Sequence, residues 1–118
     1  MNTDEMKART RRFAVAVIRC ASALPTTLVV GILGKQLVRA GTSVGANYRA
    51  ACRAKSPADF IAKMGIVEEE ADETIYWLEL LLEAGILPAA DCADLLQEAN
   101  ELVAITVASI KTARGGTR

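Results

Sequence analysis

Ser56–Gly85, SPADFIAKMGIVEEEADETIYWLELLLEAG, is the stretch from which the fold of this chain is read. Ser56 is placed to cap a helix, Pro57 suits its first position, and Asp59 completes an S-x-x-D box near the positive end of the helix dipole. Gly85 closes the segment, so the pattern predicts a single helix over 57–84. Phe60, Met64, Val67, Ala71, Ile75, Leu78 and Leu82 recur at steps of three and four, which puts them on one stripe, the expected core seam. At about 100° per residue, Ile66, Trp77 and Leu81 fall on a second side, with Glu70 and Glu73 among them. Between Ile75 and Leu82 only Glu79 is polar, and a helix apolar nearly all round must be covered on several sides. A small bundle hides one wide stripe per helix, so the surplus is assigned to contact with other copies.

Working outward, the composition sets the class. A chain of 118 residues allows one domain with its own core. Its 52% hydrophobic fraction with only 4% aromatics favours helices packed through Ala, Leu, Val and Ile. Basic and acidic side chains balance at 14 each, so net charge gives no support for attraction to nucleic acid or anionic membrane. Their distribution is uneven: residues 1–55 carry ten basic and two acidic groups, a net of +8, and residues 56–118 four and twelve, a net of −8. Two halves of opposite sign attract one another.

Histidine is absent, which removes imidazole metal sites and Ser-His or Cys-His nucleophile pairs. Cys20, Cys52 and Cys92 are odd in number, far apart and each set in a helical pattern, so they read as small buried thiols in a reducing compartment rather than a disulfide framework. The uncharged run between Arg19 and Lys35 is 15 residues long and broken by Pro25, too short for a membrane span. With a polar, charged start and no signal-peptide pattern, the expected location is the cytoplasm, without membrane association.

Three further helices are predicted, over 4–23, 26–53 and 88–113. The first carries Phe13, Val17, Cys20 or Ala21, and Leu24 on its apolar stripe and stops at Pro25; its opening cations Lys7, Arg9, Arg11 and Arg12 read as a solvated face. The second turns Leu33, Leu37, Ala40, Val44, Tyr48 and Ala51 to the core. Gly31, Gly34, Gly41 and Gly45 interrupt it, each at a cost of about 1 kcal/mol relative to alanine in an exposed helix. Gly34, Gly41 and Gly45 lie on nearly one side, where another helix is expected to come close. Lys35, Arg39, Arg49 and Arg53 fall within an arc of roughly 80° and form a basic stripe. The fourth helix follows Ile86 and Leu87, with Pro88 in its first turn, and presents Cys92, Leu95, Leu96, Ala99, Leu102, Val103, Thr106 and Ile110. The tail Arg114–Arg118 is expected to be loose.

The connection after the second helix is so short that helices two and three must be antiparallel neighbours. Positions whose numbers sum to about 112 then lie level, since each helix rises about 1.5 Å per residue. Arg39 is level with Glu73, Ser43 with Glu69, and Asn47 with Gly65. The third helix also carries an acidic stripe, Glu68, Asp72, Glu79 and Glu83, which is free to meet the basic stripe within one chain or between copies. The expected architecture is all-α, an antiparallel up-and-down four-helix bundle.

Thr42–Leu87 resembles the central motif of the bacterial family first named for reading frames in 23S ribosomal RNA intervening sequences. The residues that carry the resemblance are Gln36-Leu37, Arg39, Ser43 to Asn47, Asp59-Phe60, Glu70-Ala71, Glu73-Thr74 and Tyr76-Trp77-Leu78. It implies a four-helix bundle assembled as a ring-like homopentamer, with no known catalytic residues. A related branch, the accessory variability determinants of diversity-generating retroelements, binds nucleic acid and reverse transcriptase through a markedly basic surface, from which this chain departs in its zero net charge.

Glu70 and Glu73 beside Trp77 admit two readings, a carboxylate pair for acid–base or metal chemistry, or a structural network with Arg39, Ser43 or Asn47 at a helix or subunit interface. No histidine, activated nucleophile or phosphate-cradling loop accompanies them, which favours the second; breaking a buried pair of this kind costs about 3–5 kcal/mol. No catalytic residue, metal site or cofactor is expected. The network is assigned to Arg39, Ser43, Asn47, Glu70, Glu73, Tyr76, Trp77 and Leu81. The function expected is a non-enzymatic homo-oligomeric scaffold or adaptor; the alternative is a nucleic-acid-binding accessory protein using Lys35, Arg39, Arg49 and Arg53.

Overall fold

Each of the four helices starts where the chain supplies a reason for it to start. The structure, a computed structural model, describes residues 1–115 and contains α1 (Thr3–Ser22), α2 (Leu28–Ala51), α3 (Pro57–Glu83) and α4 (Ala89–Ala113); no strand occurs among the described residues. Asn2 and Glu5 form a reciprocal capping box on α1. Thr27 Oγ1 accepts from the Val30 N–H at 3.2 Å, so α2 begins at Leu28 rather than 26, and it ends at Ala51, with Cys52 as its C-cap, rather than at 53. Ser56 Oγ accepts from the Asp59 N–H at 3.0 Å, and Pro57 follows as the first helical residue.

α3 ends in a Schellman motif. Gly85 takes a φ of 74°, a left-handed conformation open to glycine. Its N–H donates to Leu82 O at 3.0 Å, and that of Ile86 to Leu81 O at 2.9 Å. Pro88, expected in the first turn of α4, has a ψ of 144° and stands just outside the helix with no side-chain cap to offer. At the other end Arg114 is the C-cap of α4; residues 116–118, the rest of the tail expected to be loose, lie outside the described residues.

α1 packs on α2, α2 on α3 and α3 on α4, while α1 meets α4 more sparsely. Connections of five residues or so make each pair antiparallel, which yields the up-and-down arrangement. Phe13, Val17, Leu37, Val44, Met64, Val67, Leu78 and Leu102 are fully or almost fully enclosed along the axis. α2 buries Leu37, Ala40, Val44, Tyr48 and Ala51 of the stripe read from sequence and Val30 besides, while Leu33 is only partly buried. α4 likewise buries Cys92, Leu95, Ala99, Leu102, Thr106 and Ile110, with Leu96 and Val103 at the margin.

The seam of α3 differs from expectation. The buried residues are Met64, Val67, Ala71, Thr74, Leu78 and Leu81, a strict three-four alternation, and Phe60, Ile75 and Leu82 only flank it. Thr74 disguises this stripe in the sequence because it is polar; its hydroxyl is satisfied by Glu70 O at 2.8 Å, which lets it sit at zero exposure. Leu81, one turn beyond Leu78, is therefore a core residue with no exposed surface, not part of a face left over for other copies.

Two of the interior glycines have the expected cause. A Cβ at Gly41 would stand 2.7 Å from Val17 Cγ1, and one at Gly45 would stand 3.1 Å from Thr10 Oγ1. These are the points where α1 crosses close over α2. Gly34, grouped with them from sequence, has nothing near its missing Cβ, and neither does Gly31.

Candidate functional site

Opposite charges on facing helices create two ion-pair clusters, one joining α2 to α3 and the other α1 to α4. In the first, Arg39 of α2 reaches α3 and pairs with Glu70 at 3.1 Å through Nη1 and with Glu73 through Nη2. Its Nε–H donates to Gln36 Oε1 at 3.1 Å, which holds the guanidinium plane. Glu73 Oε2 also accepts from Trp77 Nε1 at 2.9 Å, and Tyr76 stands edge-on to Trp77 with centroids 5.0 Å apart. The level relation between Arg39 and Glu73 follows from the hairpin geometry, while the second contact to Glu70 comes from the length of the arginine side chain.

Ser43 and Asn47 do not join this cluster. Ser43 Oγ donates to Arg39 O at 2.6 Å and Asn47 Nδ2 to Ser43 O at 2.8 Å, so both turn back onto their own helix. Nor is the Arg39 pair buried. The arginine side chain is 45% exposed and Glu73 38%, so solvent screens it and each pair contributes about 0–1 kcal/mol, well below the figure for a buried pair.

The second cluster was not legible in the sequence. Arg9, grouped there with solvated cations, is only 20% exposed and pairs with Glu98 at 2.6 Å and with Glu101 at 2.5 Å, across 89 and 92 residues of chain. The hydrogen bond to Glu98 is the main reason its pKa is raised further above the ordinary arginine value, and the bonds from Gln97 and Arg9 hold Glu101 below the ordinary glutamate value. The only prior signal was the opposite sign of the two halves, which does not specify a partner.

The largest group of exposed apolar side chains lies on α2 and not on α3. Leu28 is 82% exposed, Val29 61% and Ile32 57%. They occupy the opening of α2 beside the open glycines Gly31 and Gly34, and Val15 and Ile18 of α1 are also exposed. α3 contributes Tyr76 and Ile66, while Trp77 is half-buried. The surplus apolar surface read from α3 thus lies mainly at the start of α2, because the three-four seam of α3 takes Leu81 inside.

Of the basic stripe, Lys35, Arg49 and Arg53 are exposed and form no ion pair among the described residues; Arg39 is engaged with α3. Burial pushes the thiols of Cys20 and Cys92 up, away from the thiolate a reactive cysteine needs. Among the described residues no three Cys, Asp or Glu side chains are grouped to hold a metal ion, and no helix is long and apolar enough to cross a membrane.

The class these features define is an all-α four-helix bundle whose polar clusters brace helix against helix. The chain belongs to the 23S rRNA-intervening sequence protein family, whose model matches residues 3–108. It is similar to a protein of unknown function from the S23 ribosomal protein family of Bacteroides thetaiotaomicron, solved as a crystal structure. The two are 34% identical, with a TM-score of 0.87 over 94% of this chain and 99% of that one. Among curated proteins none matches.

Proposed function

We propose that this chain is a non-enzymatic, self-associating helical scaffold or adaptor of the cytoplasm, assembled as a homo-oligomer, with a pentameric ring as the stoichiometry. The observation that carries this reading is the opening of α2, where Leu28, Val29 and Ile32 stand in solvent beside two glycines with no neighbour of their own. An apolar cluster of this kind marks an interaction surface. Interior glycines that cost helix stability and have open space where a Cβ would stand are accounted for by the close approach of another copy. The Arg39–Glu70–Glu73–Trp77 cluster then serves to hold α2 and α3 in register under that surface.

Sedimentation velocity tests the reading. The wild-type chain is expected to sediment as an oligomer, and Leu28→Glu with Ile32→Glu as a folded monomer by circular dichroism. A wild-type chain that stays monomeric at high concentration refutes the proposal, and so does an oligomer that the double substitution leaves intact.

A second reading, nucleic-acid binding in the manner of the accessory variability determinants of diversity-generating retroelements, is favoured by one observation: Lys35, Arg49 and Arg53 are exposed cations without carboxylate partners. A ring would gather several copies of this stripe, and counterion release would make binding strongly salt-dependent. Anisotropy titration of a structured RNA at low and moderate salt decides it; no binding at low salt removes this reading.

A further inference from the structure

α1 and α4 separate beyond the Arg9–Glu98 clasp and leave a groove of about 1070 Å3 that runs to the end of the bundle. Its floor is apolar, with Ala16, Leu24, Ile86 and Leu95. One wall carries Arg11, Arg12 and Arg19 and the other Asp91 and Asp94, all exposed and none in an ion pair among the described residues. From Arg9 to Ser22 α1 rises about 20 Å, the length of about three and a half helical turns. The end of the groove is formed by the start of α4, which, unlike the starts of α1, α2 and α3, has no side-chain cap.

We propose that this groove is a docking site for an amphipathic helix of another protein, one whose apolar stripe carries acidic residues on one flank and basic residues on the other. The apolar floor takes the stripe, the arginine wall takes the acidic flank, and Asp91 and Asp94 take the basic flank. The charge of the two walls excludes the simpler occupants. A nucleic-acid backbone or an anionic amphiphile would face Asp91 and Asp94 across the groove, whereas a helix presents different residues to its two sides. The site lies apart from the opening of α2, so it stands or falls separately from self-association through that surface.

The test uses the full chain and three fluorescein-labelled synthetic helices of about 18 residues, with leucines at steps of three and four and, beside them, glutamates on one flank and lysines on the other, glutamates on both, or lysines on both. In anisotropy titrations the mixed helix is expected to bind saturably and the two single-sign helices at least about tenfold more weakly, because each of those sets like charges against one wall. Arg12→Glu with Arg19→Glu should make the helix with lysines on both flanks the tightest binder, and Ala16→Trp, which fills the floor without changing charge, should weaken all three. No saturable binding of the mixed helix overturns the proposal, as does equal binding of the three helices or indifference to Ala16→Trp. Displacement of the helix by a structured RNA would assign the arginines to nucleic acid instead. Loss of oligomer in Arg12→Glu/Arg19→Glu, with Leu28 and Ile32 intact, would assign the groove to a second copy of the chain.

Discussion

Gly41 and Gly65 are chemically the same residue in helices of the same bundle, and the structure gives them opposite expectations. A methyl group at position 41 would meet Val17, itself fully buried, at 2.7 Å. Gly41→Ala must therefore push α1 away from α2 and is expected to lower stability by about 1–3 kcal/mol. Position 65 has open space around its missing Cβ, so Gly65→Ala gains helix propensity and is expected to raise stability by up to about 1 kcal/mol. Urea unfolding midpoints of the two variants check the pair, and a midpoint for Gly41→Ala at or above wild type would contradict the close crossing. The same distinction separates Gly41 and Gly45 from Gly34. All three lie near one side of α2 in the sequence, but only the first two lie under α1, since helical periodicity gives direction and not what lies in that direction.

For the elements, the instructive case is α3. Its limits were legible because Ser56, Pro57 and Gly85 each act locally, through a hydroxyl cap, a fixed φ and a left-handed φ. Its facing was less so, because a helix rich in Leu, Ile, Val and Ala offers several stripes of nearly equal apolarity, and the one chosen passes through Thr74. Leu81→Ala separates the two facings. As a core residue with no exposed surface, it is expected to cost about 2–5 kcal/mol of folding stability. As a contact between copies it would instead shift the oligomer and leave the monomer's unfolding midpoint nearly unchanged. Unfolding below the dissociation concentration makes the comparison.

At the scale of the molecule, the two charged halves are clasped at two places, Arg39 with Glu70 and Glu73 between α2 and α3 and Arg9 with Glu98 and Glu101 between α1 and α4. The acid side of the stability profile follows. Glu101 is held below its ordinary pKa of 4.5 by Gln97 and Arg9. Asp59 is held below its ordinary 3.8 by Lys63 and the Lys55 N–H. A carboxyl group depressed in the folded state stabilises the fold above its unfolded pKa, and that contribution is lost as pH falls through the folded one. Stability is therefore expected to be level from neutral pH down to about pH 5 and to decline below the ordinary carboxylate range, as read from urea midpoints across pH. A midpoint that keeps rising toward pH 3 would show that neither group favours the folded state in its charged form.

The sequence by itself determined the four helices, most of their ends and their antiparallel order, because caps, proline, glycine and three-four periodicity act within a few residues and short connections leave one way to fold back. It also placed Arg39 level with Glu73, since two helices joined by a tight turn share a common rise per residue. Only the tertiary structure decided that Leu81 lies inside, that Arg9 pairs with a helix some 90 residues away, and that the exposed apolar surface stands at the start of α2. Those outcomes depend on how far each helix is rotated about its own axis and on how α1 and α4 splay, and both are set by the packing of all four helices together.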